Sequence, residues 1–240
     1  MLIIVSLHFL LMKTLFITGI DTEVGKTYIG RILVKALLKT GVSCVPRKPI
    51  ETGCELINGE LFPEDASKYF HATNEAIPLK EICPYRYEPP ISPERAIRLA
   101  NEVVTTNTLV EHCTPQDNPD YLFIEGAGGF YSPLCSDGLN ADLAQKTKSD
   151  VILVVKDRLG CINHALLTIE AIENRQLNFI AIVLNQYRAH TESAMDNLDD
   201  LQRRLSTPVI AIPNMIDANS EDLDAQYESI DRLLEIIKVC

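Results

Sequence analysis

Six short apolar runs recur along the chain and predict six β-strands. They are rich in β-branched and aromatic residues, and several contain no alternating polar positions, which is typical of parallel strands buried on both faces. The runs are LFIT (15–18), CVPRKPI (44–50), YLFIE (121–125), VILVV (151–155), FIAIVLN (179–185) and VIAIP (209–213).

Helical periodicity fills the stretches between these runs. In residues 27–40 a polar residue recurs every fourth position, so one face of the predicted helix is apolar, and Gly41 stands where a helix commonly ends. Residues 162–176 repeat this pattern, and residues 220–240 begin with acidic side chains that suit a helix N-terminus. The proline-rich residues 83–94 are predicted to form a loop. Strands that alternate with helices predict a single-domain, doubly wound α/β fold with a mainly parallel sheet.

The loop after the first predicted strand ends like a phosphate-binding loop. The stretch GIDTEVGKT (19–27) closes on Gly-Lys-Thr, although five residues instead of four follow its first glycine. Lys26 could neutralise phosphate charge, and the Thr27 hydroxyl could bind Mg²⁺. A glycine-containing turn with an incidental Lys–Thr pair is the alternative. The position between a strand and an amphipathic helix favours a nucleotide site.

Polar residues also follow later strands of the predicted sheet. Lys48 lies near the end of the second strand, where it could be a second phosphate cation or an exposed strand-terminal lysine. Glu125 ends the third strand, where P-loop proteins place an acidic residue beside magnesium, although it could simply cap the strand. Gly126 and Gly128 would let the backbone approach a ligand, and Asn185 at the end of the fifth strand could read a purine base. Ligands of such sheets bind beyond the carboxyl ends of the strands, so these residues predict one site.

Two helix starts carry weaker signals. Asp65 begins a predicted helix, where it could belong to the site or only support the helix dipole. Gly160 precedes a helix whose free N–H groups offer an anion site suited to a carboxylate. His164 in the same stretch is assigned no catalytic role, because a lone histidine on a helix is more often structural.

Composition narrows the class of protein. The chain has 240 residues, 46% of them hydrophobic and 23% charged, as in an ordinary globular protein. Its net charge of −11 argues against a nucleic-acid partner. The 7 cysteines form no C-x-x-C pair, which indicates reduced thiols in the cytoplasm.

The apolar N-terminus is the one stretch that hints at targeting. Residues 1–11 lack a basic region and a small-residue cleavage site, and they are too short to span a bilayer, so no membrane association is expected. We therefore expect Met12 to be the natural start, residues 1–11 to be an extension outside the fold, and residues 12–240 to form the single P-loop domain.

Four motifs occur in an order and spacing that resemble the dethiobiotin synthetases, the ATP-dependent family of biotin synthesis. They are GIDTEVGKT, KPIETG, IEGAGG and LGCINHALLT. The longer step between the loop glycines is how that family builds its phosphate loop. The resemblance implies ATP- and Mg²⁺-dependent carboxylation of 7,8-diaminononanoate by CO2. A carbamate and a carbamic–phosphoric mixed anhydride would precede ring closure to dethiobiotin, with release of ADP and phosphate.

The resemblance also implies roles for individual residues. Lys26, Lys48 and Thr22 would act in catalysis, and Thr27, Asp65 and Glu125 would hold Mg²⁺ directly or through water. ATP, the co-substrate, would be bound by Gly19, Asp21, Glu23, Val24, Gly25, Lys26, Thr27, Tyr28, Asn185, Pro213 and Asn214. The substrate would contact Thr52, Gly126, Gly128, Gly160, Cys161, Ile162 and Asn163. In the family the segment corresponding to residues 160–163 comes from the partner subunit, which implies a homodimer with composite sites.

Other P-loop proteins are the alternatives. A partitioning or septum-positioning ATPase switch usually carries a second lysine early in the loop, where this chain has Ile20 and Asp21. A GTPase is disfavoured because Asn185 does not begin an Asn-Lys-x-Asp sequence. An amide-forming synthetase acting on a corrin-type acid would normally need a glutaminase domain, for which 240 residues leave no room.

Overall fold

A parallel β-sheet forms the centre of the computed structural model, which describes residues 12–187, 195–213 and 220–239. Within those ranges the strands are β1 (Lys13–Gly19), β2 (Cys44–Arg47), β3 (Ile50–Thr52), β4 (Glu55–Ile57), β5 (Glu60–Phe62), β6 (Tyr85–Tyr87), β7 (Tyr121–Gly129), β8 (Pro133–Cys135), β9 (Gly138–Leu139), β10 (Asp150–Lys156), β11 (Phe179–Tyr187) and β12 (Val209–Pro213). The helices are α1 (Lys26–Lys39), α2 (Glu64–Ala72), α3 (Leu79–Ile82), α4 (Pro93–Leu99), α5 (Thr106–Cys113), α6 (Asn140–Lys146), α7 (Cys161–Asn174), α8 (Asn197–Arg204) and α9 (Ser220–Val239).

The main sheet follows the order β12-β11-β10-β1-β7-β2, and its neighbouring strands are parallel. Strand β1 lies between β7 and β10, so the loop after β1 opens beside the ends of both neighbours. The chain passes from β1 to β2 at one edge of the sheet and returns to β7 between them. This order brings the carboxyl ends of β1, β2 and β7 together, as expected of a doubly wound sheet.

Apolar side chains cover both faces of the sheet. On β1, Leu15 and Ile17 pack into one cluster with α1 and α9, whereas Phe16 packs into the opposite cluster with residues of α4, α5 and α6. Successive side chains of a strand point to opposite faces, so a strand buried on both sides must be apolar throughout. The predicted fold class is confirmed.

The second predicted strand is wrong in its extent. β2 ends at Arg47, and β3 leaves the main sheet to pair with β6 in a separate, two-stranded parallel sheet. Pro49 lies between the two pieces, and proline cannot donate a ladder hydrogen bond. The chain turns there, and Lys48 leaves the sheet with its backbone N–H bonded to the Ile82 carbonyl at 2.8 Å.

The loop predicted for residues 83–94 is also wrong in part. Tyr85–Tyr87 form β6, and Pro93 begins α4. Proline suits the first turn of a helix because the N–H that it lacks has no partner within the helix there. The prolines at 89 and 90 lie between these two elements.

Helix ends follow the sequence more closely. α1 ends at Lys39, and Gly41 has a φ of 86°, as expected for a glycine that follows a helix. In the ranges that the structure describes, no helix combines the length and the apolar character needed to cross a bilayer. Residues 1–11, predicted to be an extension, lie outside the described residues, so this stays a prediction.

Candidate active site

A crevice of about 740 Å³ lies at the carboxyl ends of β1, β2 and β7. It is bounded by the loop after β1, by β3, by the start of α2 and by the end of β7. Many residues that the sequence singled out line it, namely Thr22, Glu23, Gly25, Lys26, Thr27, Tyr28, Lys48, Thr52, Asp65, Glu125 and Gly128. The carboxyl-terminal edge of the sheet thus brings together residues from four separate stretches of the chain.

The buried side chain of Asn185 packs against the loop between β1 and α1 and fixes its conformation. Gly25 has a φ of 97°, and a Cβ there would overlap the side-chain nitrogen of Asn185. That nitrogen donates to the Val24 carbonyl at 2.9 Å, and Asn185 is only 2% exposed. Only glycine meets both requirements at position 25. The structure therefore places Asn185 beneath the loop, and the expectation that it reads adenine stays a prediction.

A buried carboxylate forms the centre of the crevice floor. Glu125 is 1% exposed, and its Oε1 accepts from the Thr27 hydroxyl at 2.8 Å and from Lys48 Nζ at 2.6 Å. Its Oε2 accepts from the Tyr69 hydroxyl at 2.5 Å. Asp65 adds a second acid, with Oδ2 3.6 Å from Lys48 Nζ. The structure thus joins Thr27, Lys48, Asp65 and Glu125, which the sequence placed in one site.

The pKa values of the two buried lysines, Lys26 and Lys48, are shifted in opposite directions. Burial and then the charge of Lys48 lower the pKa of Lys26 to about 8, against the weaker pull of nearby acids. Burial also opposes the charge of Lys48, but Glu125, Asp65 and Glu51 outweigh it and raise its pKa above the ordinary value. Lys26 Nζ donates instead to the Asp21 carbonyl at 2.9 Å. An anion bound beside Lys26 would favour its charged form and raise its pKa again.

Glu51 fixes the helix that carries Asp65, and the sequence did not single it out. Its Oε1 and Oε2 accept from the backbone N–H groups of Asp65 and Ala66 at 2.8 and 3.0 Å. Pro63 stands at the N-cap and makes no side-chain cap bond, so Glu51 supplies the cap from β3. An acid inside the motif KPIETG was the available signal.

Lys68 and Tyr69 on α2 were also missed. Lys68 Nζ lies 3.2 Å from Asp65 Oδ1 at the opening of the crevice. With Lys48, it lowers the pKa of Asp65 below its usual range, although burial acts in the opposite direction. Tyr69 is buried, and burial followed by the charge of Glu125 raises the pKa of its hydroxyl. Lys68 and Tyr69 belong to no recognisable sequence motif, so their position at the site becomes visible only in the folded structure.

The oxygen donors of this crevice fit Mg²⁺. The Thr27 hydroxyl and the carboxylates of Asp65 and Glu125 are hard ligands beside the phosphate loop. Across the described ranges, no three His, Cys, Asp or Glu side chains cluster as a metal cage. Mg²⁺ commonly needs no such cage, because it binds through one or two carboxylates together with water and substrate phosphates.

The remaining predicted residues lie apart from the floor of the crevice. Residues 160–163 form the start of α7, where Cys161 is buried, and burial raises the pKa of its thiol. Arg158 beside them lies 3.7 Å from Asp21 Oδ2 in the phosphate loop. Pro213 ends β12, and Asn214 lies outside the described residues.

Of the other predicted residues, Tyr28 and Gly128 line the crevice, whereas Gly19 and Gly126 do not. The Asn140 amide bonds both the carbonyl and the N–H of Ala127, which fixes the end of β7 around Gly126 and Gly128. The Tyr28 hydroxyl accepts from Gln226 of α9 at 2.6 Å. Gly19 ends β1 directly before the loop.

Comparison with known proteins gives the family. The family model described as an AAA domain matches residues 13–222. The ATP-dependent dethiobiotin synthetase BioD of Alteromonas mediterranea is 38% identical over 212 residues, which cover 83% of this chain and 91% of that protein. The chain belongs to the dethiobiotin synthetase family. The family resemblance of the four motifs is thereby confirmed, and so is the expectation of an enzyme.

Two further comparisons separate family from fold. The dethiobiotin synthetase BioD of Vesicomyosocius okutanii is 35% identical over 226 residues, covering 93% of this chain and 97% of that protein. The cell division protein MinD of Aquifex aeolicus has a TM-score of 0.58 at 16% identity, covering 93% of this chain and 97% of that chain. At that identity, the likeness to MinD supports the P-loop fold alone.

The depressed pKa of Lys26 gives a testable effect on stability. The pKa is about 8 in the folded protein against 10.5 ordinarily, so below pH 8 the native state bears the full penalty of a buried charge. Between these values the native state loses its proton first, and the penalty fades as pH rises. Lys26→Met should therefore increase the free energy of unfolding at pH 7 by about 1–3 kcal/mol, with a smaller gain near pH 10.

Urea denaturation of the ligand-free protein at both pH values measures this effect. The exposed Lys35→Met on the same helix is the control, and it should change stability by less than about 0.5 kcal/mol. A Lys26→Met protein that is no more stable than the wild type at pH 7 would contradict the electrostatic account.

Proposed function

We propose that the chain catalyses ATP- and Mg²⁺-dependent conversion of 7,8-diaminononanoate and CO2 to dethiobiotin, with release of ADP and phosphate. The observation that carries this proposal is the convergence of Lys26 and Lys48 on one crevice with Thr27, Asp65 and Glu125. Membership of the dethiobiotin synthetase family supports the choice of substrate. Two polyanions can meet only where several cations offset their mutual repulsion.

The reaction proceeds in three steps. One neutral amine of the substrate adds to CO2 and releases a proton, which gives a carbamate. A carbamate oxygen then attacks the γ-phosphorus of ATP, which gives a carbamic–phosphoric mixed anhydride and ADP. The second amine attacks the carbonyl carbon of the anhydride and loses a proton, so the cyclic urea closes and phosphate leaves.

Residues of the crevice position and stabilise these groups. Lys26 contacts the β- and γ-phosphates, and Lys48, whose pKa is raised, stays charged and stabilises the transferred phosphoryl group. The hydroxyls of Thr22 and Thr52 line the crevice and bond the carbamate or phosphate. Mg²⁺, held by Thr27, Asp65 and Glu125 directly or through water, would offset phosphate charge.

The nucleotide lies along the loop after β1. Backbone N–H groups of residues 19–28 cradle the phosphates, with Asp21, Glu23, Val24 and Tyr28 in contact with the nucleotide. The base and ribose lie near Asn185, Pro213 and Asn214. The Asn185 amide also shapes the loop, since its nitrogen donates to the Val24 carbonyl at 2.9 Å.

The start of α7 supports a composite site between two copies of the chain. On or beside α7, the apolar side chains of Leu159, Leu167 and Tyr131 are 90%, 59% and 48% exposed, together with the polar Asn163 and His164. In the proposed homodimer the N–H groups of residues 160–163 of one chain bind the carboxylate of the substrate that lies in the partner's crevice.

The six cysteines that the structure describes as free are all buried, which suits the proposed cytoplasmic location. No nucleic acid or membrane takes part in this scheme.

A coupled assay tests the proposed reaction. With ATP, Mg²⁺, bicarbonate and the diamine, ADP release should match dethiobiotin formation. Lys48→Met should lower kcat about 100-fold or more, because it removes a contact of the transition state and leaves the buried Glu125 carboxylate without its cation. The exposed Lys35→Met is the matched control and should retain activity. ADP release that ignores the diamine would instead favour a P-loop ATPase switch.

The composite site gives a separate prediction. Leu167→Asp should convert the dimer to a monomer in sedimentation velocity and lower turnover, because it puts a charge into an apolar interface. ATP binding should persist, since the phosphate loop is complete in each chain. Val103→Asp, at a valine that is 80% exposed, is the matched control. A Leu167→Asp protein that stays dimeric and fully active would remove this surface from the interface.

A further inference from the structure

One side of the central carboxylate is held by a residue outside the predicted site. Glu125 Oε1 faces Thr27 and Lys48, whereas its Oε2 accepts from the Tyr69 hydroxyl at 2.5 Å. Tyr69 is fully buried on α2, and its ring lies against Phe123 of β7 with centroids 5.9 Å apart. The ring therefore has a fixed place, and its hydroxyl is a fixed donor.

A glycine on the facing helix makes room for that hydroxyl. Gly30 lies within α1, and a Cβ at this position would overlap the Tyr69 hydroxyl and lie 3.0 Å from its Cζ. Glycine inside a helix is less favourable than alanine, so it calls for a local reason. The close approach of the Tyr69 hydroxyl on its way to Glu125 supplies that reason.

Tyr69 also lies on the same face of α2 as Asp65, the second acid of the site. Asp65 and Tyr69 are four residues apart on α2, so they share one face of that helix. Glu51 holds the first turn of the helix through two backbone N–H groups, and Tyr69 ties the next turn to Glu125. One helix thus sets the position of Asp65 relative to Glu125.

We propose that Tyr69 is a positioning residue that orients Glu125 for the magnesium–nucleotide complex. Its hydroxyl holds Oε2, which leaves Oε1 turned toward Thr27 and Lys48. Without this donor a buried anionic oxygen would lack its partner, and the carboxylate would rotate toward other donors. The inference rests on the proposed function for its effect on turnover, but its effect on Mg²⁺-dependent nucleotide binding does not require the diamine.

Tyr69→Phe is the direct test, since it removes one oxygen and keeps the ring. Titration of a fluorescent ADP analogue with Mg²⁺ should show the Mg²⁺ midpoint raised about tenfold, because bonds to charged groups are the strong ones. Binding of the analogue without Mg²⁺ should stay unchanged. In the coupled assay kcat should fall, while KM for the diamine stays within about twofold of wild type.

Tyr87→Phe is the matched control. The Tyr87 hydroxyl donates to Glu102 at 2.6 Å, so this variant also removes a tyrosine–glutamate bond, at residues that do not line the crevice. Its Mg²⁺ midpoint should equal that of wild type. If both variants lower the melting temperature alike and neither shifts the midpoint, Tyr69 is only structural and the inference fails.

Gly30→Ala gives a second, independent variant. It should displace the Tyr69 hydroxyl and raise the Mg²⁺ midpoint of the wild-type protein, but add less in the Tyr69→Phe background, where the overlapping atom is gone. Full additivity of the two changes would overturn the inference.

The binding and activity readouts separate the two proposals. If Tyr69→Phe shifts the Mg²⁺ midpoint but the wild-type protein forms no dethiobiotin, the role of Tyr69 is supported and the proposed reaction is rejected. Dethiobiotin formation with an unshifted midpoint would do the reverse.

Discussion

The burial of a single carboxylate, that of Glu125, organises the crevice. A carboxylate that is 1% exposed needs a donor for each oxygen, and the donors are Thr27 of α1, Lys48 just after β2 and Tyr69 of α2. Removing one partner of a buried ion pair leaves an uncompensated charge and commonly costs about 3–5 kcal/mol. The carboxylate therefore holds the phosphate loop, the end of β2 and the helix α2 in one arrangement.

The same arrangement explains why the two lysines differ. Lys48 forms ion pairs with Glu125 at 2.6 Å and with Asp65 at 3.6 Å, so the folded protein already stabilises the charge of Lys48. Lys26 bonds only a backbone carbonyl among its described hydrogen bonds, and burial depresses its pKa. Under the proposed function, a polyphosphate would supply the negative charge that Lys26 lacks. Lys48 would then keep the site assembled before the nucleotide arrives, and the nucleotide itself would stabilise the charge of Lys26.

Much of the fold and site follows from short-range patterns. Apolar runs predicted all the strands of the main sheet, and the spacing GIDTEVGKT predicted the phosphate loop, because both depend on neighbouring residues. The break at Pro49 was missed because the run CVPRKPI is apolar across it, and the departure of β3 depends on pairing with distant β6. Glu51 and Tyr69 act on partners 14 and 56 residues away, and no local pattern encodes such contacts.

The most direct test of this account is a crystal structure with Mg²⁺, a non-hydrolysable ATP analogue and the diamine. In that structure Lys26 Nζ and Lys48 Nζ should both lie within about 4 Å of oxygens of the terminal phosphate, the usual limit for an ion pair. The carboxylated amine should face the same phosphate. A structure in which the two ammonium groups contact different ligands, or in which Lys48 contacts no phosphate, would contradict it.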